Sequence, residues 1–552
     1  MKGYEYLARL LKANGTTHIF YQELMFMKTV KEFENLGLTT IMAHSEFAAG
    51  YMADGYARIS LRPGVCLSQS IGSANLAASI HDAWLGSTPV IAFTGKKTPA
   101  FQERNSYQES NHMPFFDGVT KYNVEIAAPD QLPHLVRQAY REAVTGKPRP
   151  VHLDVYGFFG LETEQAEMTE NFVANPEFAN FPAFRPAAES KLVKRAAAEL
   201  DGAKKPVLLL GRGALISGAG DRLRQLAEES DMWIITTPDG KTAIDENHRL
   251  WGGIVGGYGM DSANKLAAAA DLVIMVGTQT SDQATLNWTA PHPSTRVIQI
   301  DIDPTELGRS YPNCIGLFGD AATVADQLLE TVTGKKRSDW ISEGQKFVDK
   351  TLNLHRRLWE LNDRPIRSER LCHEVSRALP DNAIVVADTG WSAVWSATMI
   401  RMKSSQMYTR AAGSLGWSFP ASLGAKCAAP DRPVINFIGD GAFFYLNTEM
   451  ETAARRNIKT VTVINNNNSL SQCIPFAQAH YQGEQDRCSD RFTFSSPNLA
   501  KIAESYGLWA KRVDRAEDIA PALAEALAAD KPALVEVLTD HDQPGPPSAW
   551  EE

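Results

Sequence analysis

Short apolar runs closed by glycine or by polar residues recur along the chain, and longer stretches with helical periodicity lie between them. The run 206–210 (PVLLL), passing into Gly211-Arg212-Gly213, is typical. Strand and helix taking turns in this way is the pattern of a parallel sheet covered by helices, so the expected fold class is α/β. At 552 residues the chain exceeds one core, and a prior of roughly 150 residues per domain predicts three or four units. In the first third, strands are expected at His18-Ile19-Phe20 and at 39–43, 64–68, 89–94 and 151–155. Between 159 and 186 the pattern lapses into Glu, Asn, Phe and Pro, which reads as a linker. A second block carries runs at 206–210, 271–277 and 296–301 and reads as a nucleotide-type fold. The charged helical stretch 334–363 is a second connector, and a third block has runs at 383–387, 434–438, 461–464 and 533–537. The expected domains are therefore 1–165, 186–335 and 365–540, each built on a parallel sheet, with a Pro-rich tail over 541–552.

Composition narrows the class of function. Apolar residues at 44% and charged residues at 22% are the balance of a globular protein in water. No stretch approaches the ~20 uninterrupted apolar residues that span a bilayer, so no membrane partner is expected. The opening MKGYEYLARLLKANG reads as an amphipathic helix closed by Gly15, not as a signal peptide, which points to the cytoplasm. A net charge of −10 argues against nucleic acid and for a small-molecule substrate. Six cysteines (66, 314, 372, 427, 473 and 488) lack any close ligand spacing and read as free thiols.

One constellation carries chemistry. The run 434–438 ends in Gly439-Asp440-Gly441 and leads into a helical stretch, 443–456; the next run ends in Asn465-Asn466-Asn467-Asn468. Ligands of open parallel sheets sit beyond the carboxyl ends of the strands, so Asp440 and the Asn run share an edge. Magnesium takes hard oxygen ligands and completes its shell with substrate phosphates. Asp440 supplies a carboxylate and Asn467 an amide oxygen, while Gly441 and Ala442 present backbone N–H groups at a helix start, where diphosphate oxygens are favoured. Taken singly, Gly-Asp-Gly is a turn and an Asn cluster a loop. The strand–helix–strand setting is what joins them.

That combination resembles the diphosphate signature of thiamine-diphosphate-dependent enzymes, and four further segments resemble the acetolactate synthase and pyruvate oxidase branch of that superfamily. They are HSEFAAGYMADGYAR, SIGSANLAASIHDAWLGSTPVIAFTG, SYQESNHMPFFDGVTKY and AAGSLGWSFPASLGA. The resemblance implies that the three domains are pyrimidine-binding, central and diphosphate-binding. It implies that Glu46 hydrogen-bonds the cofactor's pyrimidine, that Gly72 and Asn75 fall in the same site, and that Gln108 and Lys121 follow the second long loop. Gly413 would offer a carbonyl to the pyrimidine amine and Leu415 an apolar wedge that bends the cofactor. Asp388-Thr389-Gly390-Trp391-Ser392 would add diphosphate contacts at Gly390 and Ser392. Ser469 joins Asp440 and Asn467 in the implied metal set, and Gly439 and Leu470 join the cofactor set. The activity so implied makes or cleaves a carbon–carbon bond beside a carbonyl, on a 2-oxo acid or hydroxy ketone. Because the family divides Glu46 and the metal site between subunits, a homodimer or homotetramer follows.

The pocket residues depart from the family pattern. Tyr21-Gln22-Glu23-Leu24-Met25-Phe26 replaces a glycine- and proline-rich turn, so Met25 either narrows the pocket or packs as core. Cys473 stands where simple decarboxylases carry a proton-donating glutamate, which weakens release of a free aldehyde; as a small apolar filler it would have no role at all. Phe476 replaces the tryptophan that selects the second 2-oxo acid, and Gln69 and Gln472 complete the expected pocket. GGIVGGYGMDSAN and GTQTSDQATLNW resemble flavin-holding segments, the second without its usual arginine, so the central domain either holds FAD or is nucleotide-free. The leading expectation is acetolactate synthase-like carboligation. Decarboxylase, acyloin lyase or C–C hydrolase chemistry on the same cofactor, and a catalytically silent cofactor-binding paralogue, are the alternatives.

Overall fold

The computed structural model describes residues 1–22, 25–157, 160–482, 484–541, 543 and 545. Three six-stranded sheets, parallel throughout, follow one another along the chain. The first holds β1 (His18–Tyr21), β2 (Thr39–Met42), β3 (Gly64–Gln69), β4 (Val90–Gly95), β5 (Tyr122–Ile126) and β6 (Val151–Val155) in the order β2-β1-β3-β4-β6-β5. The second holds β7 (Pro206–Leu210), β8 (Trp233–Thr236), β9 (Trp251–Ile254), β10 (Leu272–Val276), β11 (Arg296–Asp301) and β12 (Cys314–Phe318), ordered β12-β11-β10-β7-β8-β9. The third holds β13 (Ile384–Ala387), β14 (Met407–Arg410), β15 (Val434–Gly439), β16 (Thr460–Asn466), β17 (Trp509–Val513) and β18 (Ala533–Leu538), ordered β14-β13-β15-β16-β18-β17. The first and third sheets therefore share one topology, and the middle one has the 3-2-1-4-5-6 order of a doubly wound nucleotide fold.

Helices on both faces make the central strands apolar on both sides. β7 and β10 are buried along their whole length, which is why they read as unbroken apolar runs. Of the strands that such runs do not announce, β5, β9, β12, β14 and β17 lie at the edges of their sheets and β8 one place in. The helix expected over 443–456 is two, Asp440–Leu446 and Glu449–Arg455, and the first starts at the candidate metal ligand itself. The linker after β6 contains a short helix, Leu161–Gln165, and the second connector is the helix Ser338–Trp359. Among the described residues no helix is long and apolar enough to cross a membrane.

The first and third domains meet helix to helix. The helix Glu46–Ser60 crosses Ser418–Ala428 with backbones touching: a Cβ on Gly55 would lie 2.1 Å from the Ala421 carbonyl oxygen, and one on Gly424 1.9 Å from that of Met52. Beside this crossing, Arg58 is buried between two carboxylates. Its Nε and Nη2 donate to Asp54 at 2.7 Å, and Nη2 also reaches Asp82 at 2.9 Å. Nη1 donates to the Arg410 carbonyl at 2.6 Å, and the guanidinium stacks over Trp417, whose ring N–H donates to Asp54. Arg410 in turn donates to Asp239 and Gln283 of the central domain. All three domains are joined at this point. Removing one partner of a buried charge network strands the others, at about 3–5 kcal/mol. Arg58→Met is expected to lose stability of that order, measured as a lower urea midpoint; an unchanged midpoint would show the network to be dispensable.

Candidate active site

In a parallel sheet the natural crevice lies where the strand order reverses. In the third domain this is the gap between β13 and β15, which are neighbours although the chain visits β14 between them. Gly390 follows β13 and caps the helix Trp391–Met399 with a φ of 71°, and Ser392 is buried in that helix's first turn. Asp440 follows β15 at the start of its own helix. A Cβ on Gly439 would lie 3.1 Å from Ser392 Oγ, so the two helix starts face each other. The first N–H groups of a helix have no intrahelical partner, so two facing helix starts suit a diphosphate. Gly441 is closed in by Leu470, 2.7 Å from where its Cβ would stand, and Ala442 is buried beside it.

Register brings the metal candidates together. Gly439 pairs with Asn465 across β15 and β16, so Asp440 and Asn467 lie just past the ends of adjacent strands. Burial pushes the Asp440 carboxyl up to about 7, against the pull of backbone N–H groups of Asn467, Gly441 and Ser469. Its Oδ2 is buried without a hydrogen-bond partner among the described residues, as is Ser469 Oγ. Asn467 Nδ2 donates to Ser471 Oγ at 2.9 Å, which fixes the amide and leaves its oxygen for another partner. A lone carboxylate with an amide oxygen fits a hard cation that also takes phosphate oxygens, as magnesium does.

The Gly413 and Leu415 segment is held from two sides. Asp82, at the far end of the helix Gly72–Leu85, accepts the N–H groups of Ala412, Gly413 and Ser414 at 3.0, 3.1 and 3.0 Å. Asp388 accepts those of Thr389, Gly416 and Ser418 at 2.9, 3.0 and 2.7 Å. Burial drives the Asp388 carboxyl up to about 6 while those N–H groups pull the other way. Asp388 is thus a staple for the segment that carries Gly413 and Leu415. Leu415 packs toward Phe419, Ile438 and Ala442, on the side of the Asp440 helix.

In the first domain, Glu46 opens the helix Glu46–Ser60 behind the N-cap Ser45. Its Oε2 accepts from Asn75 Nδ2 at 3.1 Å, and Gly72 packs so closely that a Cβ would lie 2.3 Å from Oε1. Glu46, Gly72 and Asn75 form one group, with buried Gln69 just before them. Gln108 sits in a loop over the same edge, its carbonyl accepting the Ser70 hydroxyl. Along the Gly72–Leu85 helix this group and Gly413 stand at opposite ends. Glu46 touches the start of the Gly72–Leu85 helix, whereas Gly413 is held near its end, about 15 Å away at ~1.5 Å per residue.

Some expected pocket residues are elsewhere. Met25 is buried in the core with Phe26, Val30 and Phe33; bulky apolar residues pack as core because that removes them from water. Lys121 donates to the Thr145 and Lys147 carbonyls, away from the site. Gln472 stands over Gly390, its Oε1 3.5 Å from the place of a Cβ, and its Nε2 donates to the Tyr258 hydroxyl at 3.1 Å. Tyr258 of the central domain was not expected there. Cys473 is exposed; Glu23, Leu24 and the Phe476 side chain lie outside the described residues.

A cavity of about 440 Å³ occupies the switch point of the middle sheet, lined by Arg212, Gly213, Gly277, Asp282, Asp301 and Arg410 among others. Its size is that of a small-molecule site. Burial holds the Arg212 guanidinium down to about 10 and the Asp301 carboxyl up to about 7, and Arg212 Nε has no hydrogen-bond partner among the described residues. Of the two flavin-like segments, the second lines this cavity at Gly277–Ala284, and the first sends Tyr258 to Gln472 instead.

Comparison with known proteins agrees with this layout. Residues 1–115 match the N-terminal TPP binding domain of thiamine pyrophosphate enzymes, 193–328 their central domain and 388–537 their C-terminal TPP binding domain. The chain is 31% identical to a probable acetolactate synthase large subunit of Methanocaldococcus jannaschii, over 98% of this chain and 92% of the relative. It is 29% identical to the acetolactate synthase large subunits of Lactococcus lactis, over 97% and 92%, and Corynebacterium glutamicum, over 91% and 80%. Asp388→Ala would leave buried N–H groups unpaired, each costing about 1–3 kcal/mol. The expected result is faster hydrogen exchange at Gly416 and Ser418; unchanged protection there would mean that the staple is idle.

Proposed function

We propose that this chain, which belongs to the thiamine pyrophosphate enzyme family, binds thiamine diphosphate through magnesium and joins 2-oxo acids in the manner of an acetolactate synthase. The observation that carries the proposal is the unpartnered Asp440 Oδ2, buried at a strand-order reversal beside two helix starts and the Asn467 amide. Thiamine diphosphate supplies a nucleophilic carbon and an electron sink for bond changes beside a carbonyl.

The protein's own groups would do the rest. Asp440, the Asn467 amide oxygen and Ser469 would hold the metal, and Gly390, Ser392, Gly441 and Ala442 the diphosphate. Leu415 would support the bend between the rings, and the Gly413 carbonyl would accept from the pyrimidine amine. Glu46 would share a proton with the pyrimidine N1′, with Asn75 fixing its carboxylate. Gln108, Gln69 and Gln472 would line the substrate side with amides, which orient carboxylate and carbonyl groups without donating a proton to carbon. Cys473 brings no carboxyl to that side, which favours ligation over release of an aldehyde.

The separation of about 15 Å along the Gly72–Leu85 helix, at ~1.5 Å per residue, supports a site completed by a second copy. Exposed Ile71, Phe101 and Tyr107 flank the Glu46 group, and exposed Phe444 and Tyr445 flank Asp440. Covering these apolar residues in a homodimer or homotetramer would bring Glu46 of one copy over the Gly413 segment of another. FAD, should this member carry it, would lie in the central cavity with Arg212 against a phosphate. The free cysteines support a reducing, cytoplasmic setting.

Supplied with a 2-oxo acid, thiamine diphosphate and magnesium, the protein is expected to form a hydroxy-keto acid. Glu46→Gln should keep cofactor binding by calorimetry and lose roughly 10²–10⁴-fold in kcat. Release of aldehyde alone would contradict ligation, and full activity in Glu46→Gln would contradict the assigned proton transfer.

A further inference from the structure

Gln108 stands in a long loop, 96–112, between β4 and the short helix Met113–Phe116. The loop has little regular structure, and three of its residues, Glu103, Asn105 and Gln108, have positive φ of 59°, 55° and 58°. Non-glycine residues persist in that region only where their surroundings enforce it. Within the loop, the Glu109 carboxylate accepts the N–H groups of Glu103 at 2.6 Å and Ser106 at 3.1 Å, bracing the turn next to Gln108. Ser70 holds the Gln108 carbonyl from the end of β3.

Both ends of the loop converge on one buried carboxylate. Asp154, in β6 and paired in register with Thr94 of β4, is fully buried, as is His112. His112 Nδ1 lies 2.9 Å from Asp154 Oδ1, which can only accept, so Nδ1 carries the proton. Thr94 donates to the same oxygen at 2.9 Å. Asp154 Oδ2 faces the Lys96 ammonium at 3.6 Å, and Lys96 is also paired with Glu125 at 2.6 Å. Lys96 begins the loop and His112 ends it. Behind them, His152 stacks on Phe116 at 3.6 Å and bridges Thr94 to Asn123, its burial pulling it to about 3. Burial raises the Asp154 carboxyl, but the pairing with His112, with His152 and Lys96 adding to it, holds it below the usual carboxylate range. Nothing in the proposed chemistry uses these buried groups.

We infer that Asp154, with Lys96 and His112, is a clamp that positions Gln108 over the site. The inference rests on the reading of Gln108 as a substrate-side residue. Asp154 and His112 are positioning residues: they touch neither substrate nor cofactor and act by fixing the two ends of the loop. A fixed loop holds its amide in one place and loses little entropy when substrate binds.

The test compares Lys96→Met, His112→Leu and His112→Asn with Gln108→Ala, all as the full chain loaded with thiamine diphosphate and magnesium. His112→Asn retains an N–H donor near the position of Nδ1 and serves as the conservative rescue. Three quantities are read: the ratio of ligated product to aldehyde, cofactor affinity, and the rate of tryptic cleavage at Arg104, an exposed residue of the loop. His112→Leu and Lys96→Met are expected to cleave faster at Arg104 and to lose ligated product toward the Gln108→Ala value. The loss would reach up to roughly 10²-fold, the order that misplacement of a positioning group costs. Cofactor affinity should not change, and His112→Asn should recover both readings. If Gln108→Ala shifts the ratio but the clamp variants do not, the role of Gln108 stands and the clamp is overturned. If Gln108→Ala leaves the ratio unchanged, the reading of Gln108 fails and the clamp positions nothing of consequence. If His112→Leu does not fold, Lys96→Met decides alone, because Lys96 is at the rim of the cluster.

Discussion

Two buried carboxylates from different domains, Asp82 and Asp388, grip the backbone of one short segment, 412–418, from opposite sides. Asp82 is itself held by Arg58, which also binds Asp54 and the carbonyl of Arg410. Much else depends on this arrangement. It fixes the angle between the first and third domains, places Leu415 beside the Asp440 helix, and connects the segment through Arg410 to the central cavity. Carboxylates are costly to bury, and each here is stabilised by N–H donors that would otherwise be unpaired themselves. The segment that would contact the cofactor's pyrimidine is therefore rigid before any ligand arrives.

The three sheets place their crevices by the same rule and fill them differently. In the third domain the reversal gathers helix starts and a free carboxylate oxygen, a setting for anions bridged by a cation. In the second it opens a cavity bordered by charges of both signs. In the first, which shares the topology of the third, Met25 and Phe26 pack as core, and Glu46 stands instead against Gly72 and Asn75. One topology thus presents Asp440 between two helix starts at one place and Glu46 with Asn75 at another, because different side chains stand at the strand ends.

The buried strands and the Asp440–Asn467 pair were legible in the sequence because each is local: an apolar run has a fixed length, and a strand end followed by Gly-Asp-Gly leaves the two groups at one edge. Outer strands such as Met407–Arg410 and Trp509–Val513 were not, since their mixed polarity resembles that of loops. The staples escaped for another reason. Asp82 is the single acid in the largely apolar stretch LAASIHDAWL, a signal of a buried partner but not of which one. Besides Arg58, its partners lie more than three hundred residues away and are backbone N–H groups, which no side-chain pattern reveals. Tyr258 reaching Gln472 and His112 reaching Asp154 are likewise products of tertiary placement.

The central claim is that a complete site takes its Glu46 edge from one copy and its Asp440 edge from another. Co-expression of Glu46→Gln with Asp440→Asn, each inactive alone, tests it most directly. Random pairing of two subunits gives hybrids with one intact site, so activity should return to roughly a quarter of the wild-type value. Mixed dimers that form and remain inactive would contradict the account.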